Sequence, residues 1–80
     1  MYLLIKKTGK DKTPLKLFQT IDRAIEELEN YVKDSGFEWH WYTMGIKSYK
    51  KRYFRYIKKN RYGEENIREE LYIIYMKVGA

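Results

Sequence analysis

One segment of the chain, between Thr20 and Gly36, has the periodicity of an amphipathic α-helix, and this segment constrains the fold. Thr20 is a favourable N-cap, and Asp22 lies in the first turn, where the helix dipole is positive. Gly36 can adopt the left-handed conformation that commonly ends a helix. Apolar residues recur between these ends at helical spacing: Ile21, Ala24, Ile25, Leu28, Tyr31 and Val32. A helix with one apolar face needs a second layer to cover that face, so the rest of the chain must supply one.

Two strands are predicted before the helix. Tyr2–Lys6 is a short apolar run of strand-forming residues. Thr8–Pro14 contains Gly, Asp and Pro, which is typical of a loop, and Leu15–Phe18 is expected to be extended after it. The two extended segments are therefore expected to pair as a hairpin.

Three more strands are predicted after the helix. From Phe37 to Tyr42, large aromatic residues alternate with more polar ones, which is the period of a strand. Tyr, Phe and Ile favour a strand over Lys51–Lys58, but the spacing over Gly45–Tyr53 also fits a helix, and both interpretations stay open. After a polar connection, Glu69–Val78 has apolar residues on both faces, which indicates a central strand.

These elements predict a single α+β domain over residues 1–80: a small antiparallel sheet of three to five strands, in the order β-(β)-α-β-β-β, with the amphipathic helix on one face. A domain of this length buries only about 60% of the surface of its unfolded chain, so its core is thin. No cysteine is present to reinforce that core, which relies instead on nine Tyr, three Phe and two Trp. Since no run approaches the roughly 18 apolar residues of a membrane span, we expect a cytoplasmic protein without membrane contact.

Residues 47–62, called the basic stretch below, contain eight Lys or Arg residues and no Asp or Glu, in a chain with a net charge of +6. Five aromatic residues are threaded through them. Cations that hold phosphates beside rings that stack on bases are typical of nucleic-acid binding. The sequence therefore predicts an anionic partner that contacts Lys50, Lys51, Arg52, Tyr53, Arg55, Tyr56, Lys58, Lys59 and Arg61.

A plainer interpretation of the basic stretch places its rings in the core and its cations on a solvated surface. Carboxylates of the following segment would then pair with the cations across strands: Glu64, Glu65, Glu69 and Glu70. Because so small a domain needs several of these tyrosines in its core, the predicted binding surface narrows to an uncompensated cationic strip. That strip is best represented by Lys51, Arg52, Arg55 and Lys58.

Trp39 and Trp41 form a second candidate contact surface, because Trp is enriched at the centres of protein interfaces. One of them is expected in the core, and the other is left open as a partner contact. His40 points away from both in a strand, and it has no neighbour at the spacing of metal ligands. A homodimer through an exposed first or last strand is also predicted as an option.

The sequence contains no motif of a catalytic, metal or cofactor site. With no Cys, two Ser and one His, a hydrolytic triad is not supported, and there is no Gly-rich phosphate loop. We therefore expect a binding module that is not an enzyme. A metal-independent ribonuclease toxin is kept as a third hypothesis, built from His40, Arg52, Tyr53, Arg55 and Glu70.

In its length and its order of strand, helix and hairpin, the chain resembles the small single-domain accessory proteins of bacterial and archaeal viruses and mobile elements. That resemblance implies inhibition of a host defence or nucleic-acid-handling complex, as anti-CRISPR proteins do. The leading hypothesis from the residues is a module that binds DNA or RNA through the basic stretch. The alternative is a module that docks the same surface, or the Trp39 and Trp41 face, on an acidic or nucleic-acid-binding protein complex.

Overall fold

The computed structural model describes residues 1–45, 50–58 and 66–77. Its elements follow one another as β1 (Tyr2–Thr8), β2 (Asp11–Phe18), α1 (Ile21–Asp34), β3 (His40–Thr43), β4 (Lys51–Lys58) and β5 (Asn66–Tyr75). The strands form one antiparallel sheet in the spatial order β2-β1-β5-β4-β3. The predicted α+β fold, with one helix and the order β-β-α-β-β-β, is therefore confirmed.

The β1–β2 hairpin turns sharply through Gly9, which has a φ of 62°. The predicted loop over Thr8–Pro14 is wrong in its extent, because β2 already begins at Asp11. Pro14 is tolerated inside β2 because this is an edge strand, where an outward-facing position needs no N–H group. The register between β1 and β2 shifts by one residue beside Pro14, as in a β-bulge.

Helix α1 begins and ends where the sequence predicts. The Thr20 side chain accepts a hydrogen bond from the Arg23 N–H at 3.4 Å. At the other end, the Ser35 N–H donates to the Tyr31 carbonyl at 3.1 Å. Gly36 follows with a φ of 75°, a conformation that a side chain would strain.

The segment between the helix and β3 differs from the prediction. A strand was expected from Phe37, but β3 begins only at His40. The reason is local, because the Ser35 hydroxyl accepts hydrogen bonds from the Phe37 N–H (3.2 Å) and the Trp39 indole N–H (2.9 Å). These bonds hold the segment against the end of the helix, so it cannot join the sheet.

Strands β4 and β5 settle the remaining predictions. Lys51–Tyr53 belong to strand β4, so the helix considered over Gly45–Tyr53 is wrong for these three residues. Residues 46–49, which that helix would include, lie outside the described residues. Strand β5 begins at Asn66, earlier than predicted, and it is central because it pairs with both β1 and β4. Since β1 is also interior and the sheet edges are β2 and β3, a homodimer cannot form by pairing through the first or last strand. Whether the protein forms a homodimer by another route stays a prediction.

Alternation along the strands divides the sheet into a face that α1 covers, called the helix face, and the opposite open face. The hydrophobic core lies between the helix and the helix face: Leu4, Phe18, Ala24, Leu28, Tyr53, Leu71 and Ile73. Among the described residues, no helix covers the open face, although Ile5, Glu70 and Tyr72 on that face are buried. In the described part of the chain, no helix is both long enough and apolar enough to cross a bilayer.

Candidate functional site

Strand β4 divides the basic stretch between the two faces of the sheet. The helix face receives Lys51, Tyr53 and Arg55. The open face receives Arg52, Phe54 and Tyr56. Lys50 is exposed just before the strand and Lys58 is its last residue, whereas Lys59 and Arg61 lie outside the described residues. The predicted site residues therefore do not form a single surface.

On the helix face, Lys51 and Tyr53 are tied to the helix through Glu29. The Tyr53 hydroxyl donates to Glu29 Oε2 at 2.5 Å, and Lys51 Nζ lies 3.4 Å from Glu29 Oε1. The ammonium of Lys51 also lies 4.4 Å from the centre of the Trp41 ring. Tyr53 is only 5% exposed, so this tyrosine belongs to the core, as the plainer interpretation predicts.

The contacts around Glu29 shift two pKa values in the same direction. The Tyr53 hydroxyl contributes most to raising the pKa of Lys51 above its ordinary 10.5; Glu29 raises it further, against a lowering by burial. Burial, and then the hydrogen bond to Glu29, raise the pKa of Tyr53 above its ordinary 10.0. The folded state therefore holds both protons more tightly than the unfolded chain does.

Replacing Glu29 with Gln is expected to reduce the free energy of unfolding more at pH 8 than at pH 11. A group whose pKa is raised on folding stabilises the fold fully below its unfolded pKa, and this stabilisation disappears as the pH rises through the folded pKa. The relevant window is thus alkaline, above about pH 10. Urea unfolding followed by tryptophan fluorescence measures the difference, and equal losses at the two pH values would contradict the role of Glu29.

Arg55 is also neutralised on the helix face. Its Nε lies 3.1 Å from Oε1 of Glu69, whose side chain is buried, and its guanidinium carbon lies 3.7 Å from the centre of the Phe37 ring. Glu69 Oε2 also accepts a hydrogen bond from the Thr8 hydroxyl (3.3 Å) and lies 3.7 Å from Lys6 Nζ. The pairing of the basic stretch with Glu69 across strands is confirmed. The strip predicted as uncompensated is therefore compensated at Lys51 and Arg55.

The open face carries a group of rings and one guanidinium, called the open-face cluster: His40, Tyr42, Phe54, Tyr56 and Arg68. The Phe54 ring is central, with its centroid 5.4 Å from that of His40, 5.7 Å from Tyr42 and 6.1 Å from Tyr56. The guanidinium carbon of Arg68 lies 4.4 Å from the Phe54 centroid. Tyr56 is 56% exposed and His40 is also exposed, whereas Tyr42 and Phe54 are half-buried, so the cluster presents mainly the Tyr56 and His40 rings to solvent.

Arg68 is held in place over the cluster by two polar contacts. Its Nε lies 3.1 Å from Glu70 Oε1, and its Nη1 donates to the Tyr56 hydroxyl at 3.3 Å. The side chain remains 41% exposed. Its guanidinium plane therefore joins the rings as an accessible flat surface.

Arg52 adds a positive charge to the open face near the start of β4, away from Tyr56 and Arg68. Its guanidinium carbon lies 4.1 Å from the centre of the Tyr72 ring, and it has no carboxylate partner among the described residues. Beside it a cleft of about 280 Å³ opens between the start of β4 and the end of β5. Lys50 and Arg52 bring positive charge to this cleft, whose other lining residues are Met44, Ile73, Ile74 and Tyr75.

The two tryptophans have the different environments that the sequence leads us to expect. Trp39 is partly buried against the core. Trp41 is 59% exposed on the helix face of β3, opposite Tyr53. His40 points to the other face, as predicted, and contacts Phe54. Whether Trp41 contacts a partner stays a prediction.

The residues proposed for a ribonuclease are not assembled into one constellation. The open face holds His40, Arg52 and Glu70, while the helix face holds Tyr53 and Arg55. Within residues 1–45, 50–58 and 66–77, no group of three or more His, Cys, Asp or Glu residues is arranged to hold a metal ion.

The sequence interpretation missed Phe54, Tyr42 and Arg68, which together define the open-face cluster. Phe54 and Tyr42 were visible as members of alternating segments, but the alternation alone does not tell which face the helix covers. Arg68 lies in a segment that reads as a polar connection, and its position is set only by its register opposite Tyr56.

No protein-family model, no curated protein and no solved structure matches this chain. The function must therefore be inferred from the geometry of the two faces.

Proposed function

We propose that the protein binds single-stranded nucleic acid across the open face of its sheet. The observation that carries the proposal is the open-face cluster, in which the exposed Tyr56 ring lies beside the Arg68 guanidinium, itself stacked over the half-buried Phe54. No helix of the described residues covers this face. Flat aromatic and guanidinium surfaces stack on unpaired bases, at about 1–3 kcal/mol per base. Sheets that bind RNA in this manner typically stack two or three bases.

The positive charges on the same face favour a polynucleotide over an uncharged aromatic ligand. Arg52 has no carboxylate partner among the described residues, and Lys50 is exposed beside it at the rim of the 280 Å³ cleft. A nucleic-acid strand whose bases stack on Tyr56 and Arg68 would lead its phosphates along β4 toward these two cations. Such phosphate contacts release counterions and add affinity that does not depend on the base sequence.

The geometry favours a single strand over a duplex. A duplex keeps its bases stacked on one another, so rings on a flat sheet cannot reach the faces of those bases. In the part of the chain that the structure describes, no helix projects from the open face to enter a groove. The helix face is the weaker candidate for binding nucleic acid, because its two cations from the basic stretch are already paired: Lys51 with Glu29, and Arg55 with Glu69.

Salt dependence tests the proposal directly. Fluorescence anisotropy with a short labelled single strand should show the logarithm of the association constant falling by about 0.7 for each phosphate contact per tenfold rise in salt. Replacing both Lys50 and Arg52 with Gln should lower the magnitude of this slope by the equivalent of about two contacts.

The matched control replaces two exposed helix cations, Arg23 and Lys33, with Gln, which removes the same charge away from the open face. Its slope should equal that of the unmodified protein. Absence of binding at about 50 mM salt, or equal slopes for the two variants, would overturn the proposal. A stable complex with an acidic protein and none with a single strand would favour the alternative module that binds a protein complex.

A further inference from the structure

The helix face contains a second cleft, of about 420 Å³, between the C-terminal half of α1 and the strands β1, β4 and β5. Three aromatic residues line it: Tyr31, Phe37 and Trp39. Phe37 is 55% exposed, so much of its ring remains open to solvent. Clefts of this size with aromatic walls and a few polar groups are typical of sites for small ligands or single side chains.

Some of the charged residues that line the cleft have ion-pair partners in the described part of the chain, and others do not. Its two cations, Lys6 and Arg55, both contact the buried Glu69. Its two other carboxylates, Glu27 and Asp34, have no ion pair among the described residues. These two lie seven positions apart in α1, so they share one side of the helix, with Asn30 and Tyr31 between them. The charge left for a ligand is therefore negative, although the protein as a whole carries a net charge of +6.

The protein itself shows which cation suits these walls. The guanidinium of Arg55 lies 3.7 Å from the centre of the Phe37 ring and 5.3 Å from that of Trp39, and it is bonded to a carboxylate. A planar guanidinium can stack on a ring and donate to carboxylates at the same time, which the compact ammonium of lysine does less well.

From this arrangement we propose that the helix-face cleft binds a second guanidinium group, stacked on the aromatic wall and paired with Glu27 and Asp34. The group belongs either to a small molecule or to an arginine side chain of another protein. This inference does not depend on nucleic-acid binding, because the cleft lies on the opposite side of the sheet from the open-face cluster.

Calorimetric titration with N-acetyl-arginine amide tests the proposal, with N-acetyl-citrulline amide as the uncharged match. We expect the arginine compound to bind about tenfold more tightly, because citrulline keeps the planar group but loses its charge. A short arginine-containing peptide forms the third arm: tighter binding of the peptide identifies a protein partner, and equal binding identifies a small-molecule site. Equal affinity for arginine and citrulline, or no heat for either, would overturn the proposal.

Two paired variants locate the site. Glu27→Gln with Asp34→Asn should weaken binding of the arginine compound about tenfold. Asp22→Asn with Glu26→Gln removes the same charge from helix positions outside the cleft and should leave the affinity unchanged. If both variants lost the same affinity, the arginine compound would be attracted by the net charge of the helix and not by a specific site, and the assignment would be refuted.

Discussion

Replacing both Phe54 and Tyr56 with Leu is expected to weaken single-strand binding about 30-fold or more. Tyr56 is an exposed ring, and the half-buried Phe54 supports the Arg68 guanidinium that lies 4.4 Å from its centre. The double replacement therefore removes one stacking surface and the support of a second, and base stacking contributes about 1–3 kcal/mol per base. Leucine keeps the apolar volume of the side chain but has no flat face. Anisotropy titration of the same labelled strand at fixed salt measures the loss.

The control for this prediction is Trp41→Leu, which removes a ring of similar exposure, at 59% against 56% for Tyr56, from the other face of the sheet. It should leave the affinity for the single strand unchanged. Urea unfolding of each variant establishes that the fold is intact. If the Trp41 variant lost as much affinity as the double variant, the binding surface would lie on the helix face.

Replacing Glu69 with Ala is expected to reduce the free energy of unfolding by about 3 kcal/mol, out of about 4–12 kcal/mol for a domain of 80 residues. Glu69 is 5% exposed and joins Arg55, Lys6 and Thr8. Removing one member of a buried ion pair costs about 3–5 kcal/mol because the partner remains without compensation. The lower value applies here, since a third of the Lys6 side chain is exposed to solvent. Chemical denaturation measures the change.

A companion variant separates the cost of an uncompensated charge from simple loss of volume. Replacing both Glu69 and Arg55 with Leu should recover part of the stability, because the more buried cation, Arg55, is then removed together with its carboxylate. Only Lys6, a third of whose side chain is exposed to solvent, loses its partner in this variant. Glu26→Ala, which breaks an exposed pair with Arg23, should cost no more than about 1 kcal/mol. A double variant less stable than Glu69→Ala would indicate that the pair itself stabilises the protein.

The fold could be predicted from the sequence because its elements have strong local signals. The helix has an N-cap at Thr20, a left-handed glycine at Gly36 and a clear apolar stripe. The predicted element boundaries are wrong where tertiary structure overrides the local preference of a residue. Pro14 reads as a loop residue but fits an edge strand, and Phe37 alternates like a strand residue but is held at the helix end by Ser35.

The candidate site could be predicted in its location along the chain but not in its composition. Alternating residues in β4 are aromatic or cationic on both faces, so the sequence does not distinguish Tyr53 in the core from Phe54 on the open face. The distinction depends on which face the helix covers. Arg68 joins the site only because β5 lies beside β4, a pairing between segments of the chain that no local pattern encodes.

The position of β1 in the middle of the sheet has a consequence for how the protein folds during synthesis. Strand β1 pairs with β5, and a contact such as that between Thr8 and Glu69 spans 61 residues. Pairing over such separations folds slowly, in about milliseconds to seconds. The hairpin and helix emerge from the ribosome with the inner edge of β1 bare, so the cooperative domain forms only after β5 is released. Until that moment, β1 is an open template for other strands, and chaperone binding or aggregation competes with folding.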